Sequence, residues 1–128
     1  MYKTLDIFKL SHAMASHANA RQRVVAENVA NADTSGYRAK DISSFTDHVA
    51  SMRDSGAIKT RSKHFGGFDT QMTSFKYIQT SDEPSPNGNS VSLETEMMKA
   101  GEARHQQDTA LAVYRSAMNI MRSSIGKG

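Results

Sequence analysis

Apolar residues recur at helical intervals near both ends of the chain and lose that spacing in the middle. From Ser92 to Ile125 they alternate at four and three residues, which is typical of a coiled-coil seam. This predicted seam comprises Leu93, Met97, Ala100, Arg104, Gln107, Leu111, Tyr114, Met118, Met121 and Ile125. We therefore predict a helix about 50 Å long, at roughly 1.5 Å per residue. The carboxylates of Glu94 and Glu96 would interact favourably with the N-terminal end of the helix dipole, and Gly126 would end the helix.

A second long helix is predicted for residues 4–32, which contain no Gly or Pro. Thr4 or Asp6 would cap it. Its apolar face is broad and shallow, with Phe8, Val25 and Val29 on the main stripe and alanines between them. We expect this helix and the C-terminal one to form an antiparallel, coiled-coil-like hairpin. Their apolar faces would pack against each other and against other subunits.

The middle of the chain is predicted to be irregular. Both prolines and the clearest turn signals fall between Asp33 and Ser90, and only residues 75–80 resemble a strand. The fold class is therefore mainly α, with loops and short strands in the middle. We divide the chain into an N-terminal helix (1–32), a linker or arm (33–90) and a C-terminal helix (91–128).

Composition indicates that the chain needs neighbours to complete its core. Leu, Ile, Val and Phe supply only 21 of 128 residues, below the roughly 20% at which self-sufficient cores become doubtful. Alanine and the eight methionines instead suit close helix contacts and adaptable surfaces. A marginally stable helical monomer is the alternative.

Charge gives little support for nucleic-acid binding. The net charge is +3, and basic and acidic residues are mostly interspersed. The basic run at residues 59–64 could contact anionic lipid or nucleic acid, but a solvated loop is the favoured interpretation. No apolar run is long enough to span a membrane, and residues 1–10 do not resemble a cleaved signal peptide.

Catalytic and metal-binding patterns are weak. There are no cysteines, which excludes thiol chemistry and Cys-based metal sites. His12 and His17 are five residues apart and do not form the i, i+4 pair of a helical metal site. We expect the five histidines to be solvated, and we predict no enzyme activity, cofactor, metal or small-molecule substrate.

The most informative stretch is the end of the first helix, where Asn31 and Asp33 can form Asx turns and Gly36 can adopt positive φ. Its string resembles the signature of the flagellar axial proteins, the rod, hook and hook-associated proteins. The matching positions are Asn28, Val29, Ala30, Asn31, Thr34, Gly36, Tyr37 and Arg38. By residues alone, a well-capped helix terminus would be the simpler interpretation.

A second block, residues 87–97, resembles a Gly-Asn-x-Val-x-Leu-Glu-x-Glu-Met signature. Together the blocks are most similar to the FlgB-type proximal rod proteins of the flagellar basal body rod protein family. This sequence departs from that pattern at Ser35, where Pro is common, at Ser92, where Asp is common, and at Ala103-Arg104. Other small rod proteins share the first motif and stay open, as does a free-standing coiled-coil adaptor.

The resemblance implies a structural, non-enzymatic subunit of the rod in the periplasmic space, exported without a cleaved signal peptide. It implies contacts with other flagellar rod subunits, a FliE-type adaptor, the membrane-ring protein and the flagellar export apparatus. It also implies that the subunits self-assemble through their terminal helices and that the assembled rod transmits torque for motility.

Overall fold

Two long helices run antiparallel, and a small two-stranded sheet packs with its first strand against the first helix. The computed structural model describes residues 2–54, 74–80 and 82–126. In chain order the elements are α1 (Tyr2–Ala30), β1 (Lys40–Ile42), α2 (Phe45–Asp54), β2 (Tyr77–Gln79) and α3 (Leu93–Ile125). The expected fold, mainly α with a terminal helical hairpin, is confirmed.

The antiparallel direction of the hairpin follows from side-chain pairs along its length. Phe8 meets Tyr114 with ring centroids 5.2 Å apart, and Asn28 lies near the start of α3, 3.0 Å from Glu96. As residue numbers rise along α1, those of its partners on α3 fall.

Helix α3 begins and ends as its sequence predicts. The Ser92 hydroxyl accepts from the Thr95 amide as N-cap, and the Gly126 amide donates to the Arg122 carbonyl at 2.8 Å. Helix α1 instead begins at Tyr2, earlier than the predicted caps Thr4 and Asp6, and ends at Ala30 rather than Ala32.

The intramolecular face of α3 differs from the predicted seam. Its buried alanines are spaced by seven residues and form the alanine stripe: Ala103, Ala110 and Ala117. Small side chains let α3 lie close to α1, so the larger apolar residues of the seam remain on the flank. Gly101, which lies inside α3, is not at a close helix contact, because a β-carbon at this position would have nothing within 4 Å.

The middle region contains more structure than its sequence suggested. Strand β1 pairs antiparallel with β2, with Asp41 opposite Ile78, which confirms a strand within residues 75–80. Helix α2 was not predicted. Ser44 starts it, because its hydroxyl accepts from the Asp47 amide at 3.1 Å and donates to the Asp47 carboxylate at 2.7 Å.

The apolar core is small and lies between α1 and β1. It consists of Ala20, Val24 and Ile42, with Phe75 packed against it. Across the described part of the chain, no helix is both long enough and apolar enough to cross a membrane. The predicted irregular middle also has turn signals at Ser55-Gly56 and Gly66-Gly67. These two signals and the basic run at residues 59–64 lie outside the described residues.

Candidate functional site

The end of α1 is tied to the segment preceding α3 by one side chain, Asn89. Its Nδ2 donates toward the carbonyls of Asn31, Ala32 and Thr34 at 2.8, 2.9 and 2.7 Å. Carbonyls at a helix C-terminus lack hydrogen-bond donors within the helix, and the Asn89 amide supplies the missing donor. Its Oδ1 in turn accepts from the Val91 amide at 2.7 Å, which fixes the approach to α3.

Two glycines bring the same segments into backbone contact. Gly36 and Gly88 have φ of +73° and +82°, the left-handed region that glycine favours. The Gly36 amide donates to the Asn87 carbonyl at 3.0 Å, and the Ser90 amide donates to the Tyr37 carbonyl at 3.0 Å. The predicted positive φ of Gly36 is confirmed.

The Asn28 side chain is fully buried and uses every polar atom it carries. Its Nδ2 donates to the Lys40 carbonyl at 2.7 Å and to the Glu96 carboxylate at 3.0 Å. Its Oδ1 accepts from the Lys40 amide at 3.1 Å and from the Tyr37 hydroxyl at 3.2 Å. One amide thus joins α1, the start of β1 and the start of α3.

Charged groups continue this network into the hairpin. Glu96, only 1% exposed, accepts from Lys99 Nζ at 2.9 Å, and that ammonium lies 3.7 Å from Asp41. Arg21 contacts Asp41 at 3.2 Å and Glu102 at 3.0 Å. Glu96, expected to serve only the helix dipole, is therefore a buried hydrogen-bonding residue. We call Asn28, Asp41, Asn89, Glu96 and Lys99 the polar junction.

An exposed ion pair adjoins the junction, because Glu27 precedes Asn28 and Lys40 precedes Asp41 in the chain. Lys40 Nζ donates to Glu27 at 2.7 Å. This hydrogen bond and the accompanying charge attraction lower the pKa of Glu27 and raise the pKa of Lys40. Burial, followed by the charge of Glu27, raises the pKa of Tyr37.

Two histidines lie among aromatic rings rather than in solvent. His17 is 2% exposed and His48 is 7% exposed, which contradicts the expectation of solvated histidines for this pair. His17 Nε2 lies 2.8 Å from the Ser43 carbonyl, so it donates, and Nδ1 accepts from the Gln106 amide at 3.0 Å. The ring of Phe75 packs 5.1 Å from His17 and 4.9 Å from His48. These contacts attach α2 and residue 75 to the hairpin. His12 and His105 are exposed, and His64 lies outside the described residues.

The residues of the first motif divide into a buried anchor and an exposed turn. Asn28 is buried, and Asn31 and Tyr37 are half-buried. The exposed positions are Val29, Ala30, Thr34, Gly36 and Arg38. The Asn31 amide donates to the Glu27 carbonyl at 2.8 Å, as its predicted capping role requires.

Most of the apolar residues predicted to pack between subunits, on the α3 seam and on the main stripe of α1, are exposed in the single chain. Ala100, Met118 and Phe8 are half-buried, and Val25 is buried. The exposed members are Val29, Leu93, Met97, Leu111, Tyr114, Met121 and Ile125. Their contact with other subunits stays a prediction.

Sequence reasoning missed the partners that make the junction. The block at residues 87–97 contains Asn89 and Glu96, but a carboxylate in a first helical turn is usually explained by the helix dipole. Arg21, Asp41 and Lys99 are far apart in sequence and carry no local signal. The seven-residue spacing of the alanine stripe was visible, but larger apolar residues dominate periodicity analysis.

Comparison with known proteins places this sequence in a family. A family described as "Flagella basal body rod protein" matches residues 13–38, which include Asn28 and Gly36. The flagellar basal body rod protein FlgB of Agrobacterium fabrum is 33% identical over 94% of this chain and 93% of the relative. The FlgB proteins of Bacillus subtilis (32% identical, 88% of each chain) and Escherichia coli (30% identical, 80% of this chain and 83% of the relative) are also similar. The chain belongs to the FlgB family of flagellar basal body rod proteins, which are structural components of the rod.

Proposed function

We propose that this chain polymerises through its terminal helices at the base of the rod. There it would join the membrane ring and export gate to the rest of the rod and transmit torque for motility. The observation that carries the proposal is the apolar surface of α3. Leu93, Met97 and Ile125 are 54%, 74% and 75% exposed in the single chain, and Leu111 is 42% exposed.

Apolar side chains lie on both flanks of the alanine stripe. At about 100° per residue, Leu111 and Met118 fall on one side of the stripe. Val113 and Ile120, 41% and 61% exposed, fall on the other. A subunit that presents different apolar surfaces on two sides can bind a neighbour on each side. Contacts of this heterologous kind extend into an open polymer when they do not close.

Burial of these flanks would supply the cohesion of a torque-bearing rod. At about 25 cal/mol per Å², each ~1,000 Å² of apolar surface buried contributes roughly 25 kcal/mol before the entropy of association is subtracted. The polar junction supports this role differently. It holds the two helices together at one end of the hairpin, so that the apolar flanks on both sides of the alanine stripe keep a fixed orientation.

Family membership supports the remaining parts of the proposal. The partners would be other flagellar rod subunits, a FliE-type adaptor, the membrane-ring protein and the flagellar export apparatus. The chain would leave without a cleaved signal peptide and act in the periplasmic part of the rod. Its role would be structural rather than enzymatic.

Leu111→Asp tests the proposal in the organism. It places a charge on the exposed flank without disturbing the monomer's buried face, so motility should be lost while the exported protein remains detectable. His105→Asp, at an exposed polar position of the same helix, is the matched control and should retain swimming. Normal swimming of the Leu111→Asp strain would contradict packing through this flank.

Sedimentation separates the rod proposal from a free-standing coiled-coil adaptor. A rod subunit should be a monomer when dilute and form polymers of no fixed size when concentrated. An adaptor should form one defined small oligomer at all concentrations.

A further inference from the structure

The two faces that form the hairpin repeat with the same period. Buried positions on α1 include Ser11, Ala18 and Val25, spaced by seven residues, and α3 carries the alanine stripe with the same spacing. If α3 slid along α1 by seven residues, Ala110 would occupy the place of Ala103. The small apolar faces therefore distinguish poorly between registers.

The polar contacts between the helices do distinguish them. Asn28 bonds Glu96, Arg21 bonds Glu102, and His17 bonds Gln106, each at 3.0 Å. A slide of seven residues would place Ala103, Thr109 and Val113 opposite those three α1 residues. Neither alanine nor valine offers a side-chain hydrogen bond. The buried Asn28 and His17 would then lose their α3 partners, which is unfavourable for a buried polar group.

A gain in folding stability does not readily explain why the charged residues of the polar junction are buried. Glu96 is 1% exposed, and Lys99 and Asp41 are 9% exposed. Well-packed apolar residues in place of a buried ion pair are often equally stabilising, whereas buried polar groups are known to set register in helical assemblies.

We infer that the polar junction, together with the contacts of Arg21 and His17 to α3, sets the register of the hairpin. Asn89 contributes because it holds the segment before α3 against the end of α1. The apolar faces then close along the rest of the hairpin from a fixed starting point. The inference concerns the isolated chain and does not require the proposed function. If that function holds, a uniform register would place the apolar flanks at the same position along the hairpin axis in every subunit of the polymer.

Distance measurement between spin labels tests this directly, because the chain has no cysteine of its own. Labels at Lys9→Cys and Met98→Cys would lie on exposed positions of α1 and α3, well separated along the hairpin axis. The parent should give one narrow distance peak. A slide of seven residues would move that peak by about 10 Å, at roughly 1.5 Å per residue.

The decisive variant combines Asn28→Leu, Asn89→Ala, Glu96→Met and Lys99→Met with Glu102→Ala and Gln106→Ala, so that the contacts of Asn28, Arg21 and His17 to α3 are all removed. While its helical circular dichroism is retained, it should show a second peak displaced by about 10 Å. Glu96→Gln, which keeps a carbonyl acceptor for Asn28, is the control and should keep a single peak. A single unshifted peak in the helical variant would overturn the inference.

If that variant does not fold, a milder one decides by the same criterion. It keeps Asn28, whose bonds to Lys40 remain, and replaces by alanine only residues of α3 and of the segment before it. The substitutions are Asn89→Ala, Glu96→Ala, Lys99→Ala, Glu102→Ala and Gln106→Ala. A displaced second peak supports register setting by polar contacts, and one unshifted peak overturns it.

Discussion

Gly36 and Gly88 lie back to back, so that a β-carbon on Gly88 would sit 3.3 Å from the Gly36 Cα. Each glycine has a positive φ. Gly36 lies in the exit from α1, and Gly88 lies in the segment that precedes α3. The local turn geometry and the long-range packing therefore both require a glycine at Gly88. This pair allows the exit from α1 and the approach to α3 to pass within hydrogen-bonding distance of each other.

Gly88→Ala should destabilise the chain by about 1–2 kcal/mol from the left-handed conformation alone, with a further loss from the close contact. Gly101→Ala is the matched control. Nothing lies within 4 Å of its built Cβ, and it is inside a helix, so alanine should stabilise by up to ~1 kcal/mol. Urea unfolding followed by circular dichroism measures both. Equal effects of the two substitutions would refute the packing of the glycine pair.

Asn28→Asp should be among the most damaging conservative changes in the chain. It replaces a donor with a carboxylate facing the Glu96 carboxylate and the Lys40 carbonyl at a fully buried position. We expect a loss of about 3–5 kcal/mol in the free energy of unfolding. Asn19→Asp, at an exposed position of the same helix, should change it by less than about 0.5 kcal/mol. A small effect at Asn28 would show that the amide is not needed there.

The Glu27–Lys40 pair predicts a pH-dependent contribution to stability. Because Lys40 lowers the pKa of Glu27, the stabilising effect is complete above the unfolded value of about 4.3 and is lost as the pH falls through the lower folded value. NMR titration should find the Glu27 carboxyl below its ordinary pKa, and Lys40→Met should return it toward that value. Since the pair is exposed, added salt should weaken the shift. An unchanged Glu27 titration in the Lys40→Met chain would contradict the pairing.

The long helices could be predicted from sequence because their periodicity is local information. The stop at Gly126, the start at Ser92 and the positive φ of Gly36 follow from single-residue chemistry. Helix α2 was missed although Ser44 and Asp47 form a recognisable capping pair. Its ten residues are short, and its contacts through Phe45 and His48 become visible only in three dimensions.

The face of α3 that meets α1 could not be chosen by hydrophobicity. Leu, Met and Tyr give the stronger periodic signal, yet Ala110 and Ala117 are buried while Leu111 and Tyr114 are exposed. Small residues are selected where two helices approach closely, and large apolar residues are left for other contacts. Similarly, Lys99 and Asp41 meet only because the chain returns past β1, which no local pattern specifies.

Protection of Leu111 in the assembled rod tests the central claim most directly. In a chain carrying Leu111→Cys as its single cysteine, the thiol should react readily with a maleimide when the purified subunit is dilute. In intact basal bodies from a motile strain the same thiol should react at least about tenfold more slowly, with denatured basal bodies giving full labelling, because dry apolar interfaces exclude water and reagent. Equal labelling of the free subunit and the intact basal body would contradict burial of this flank between subunits.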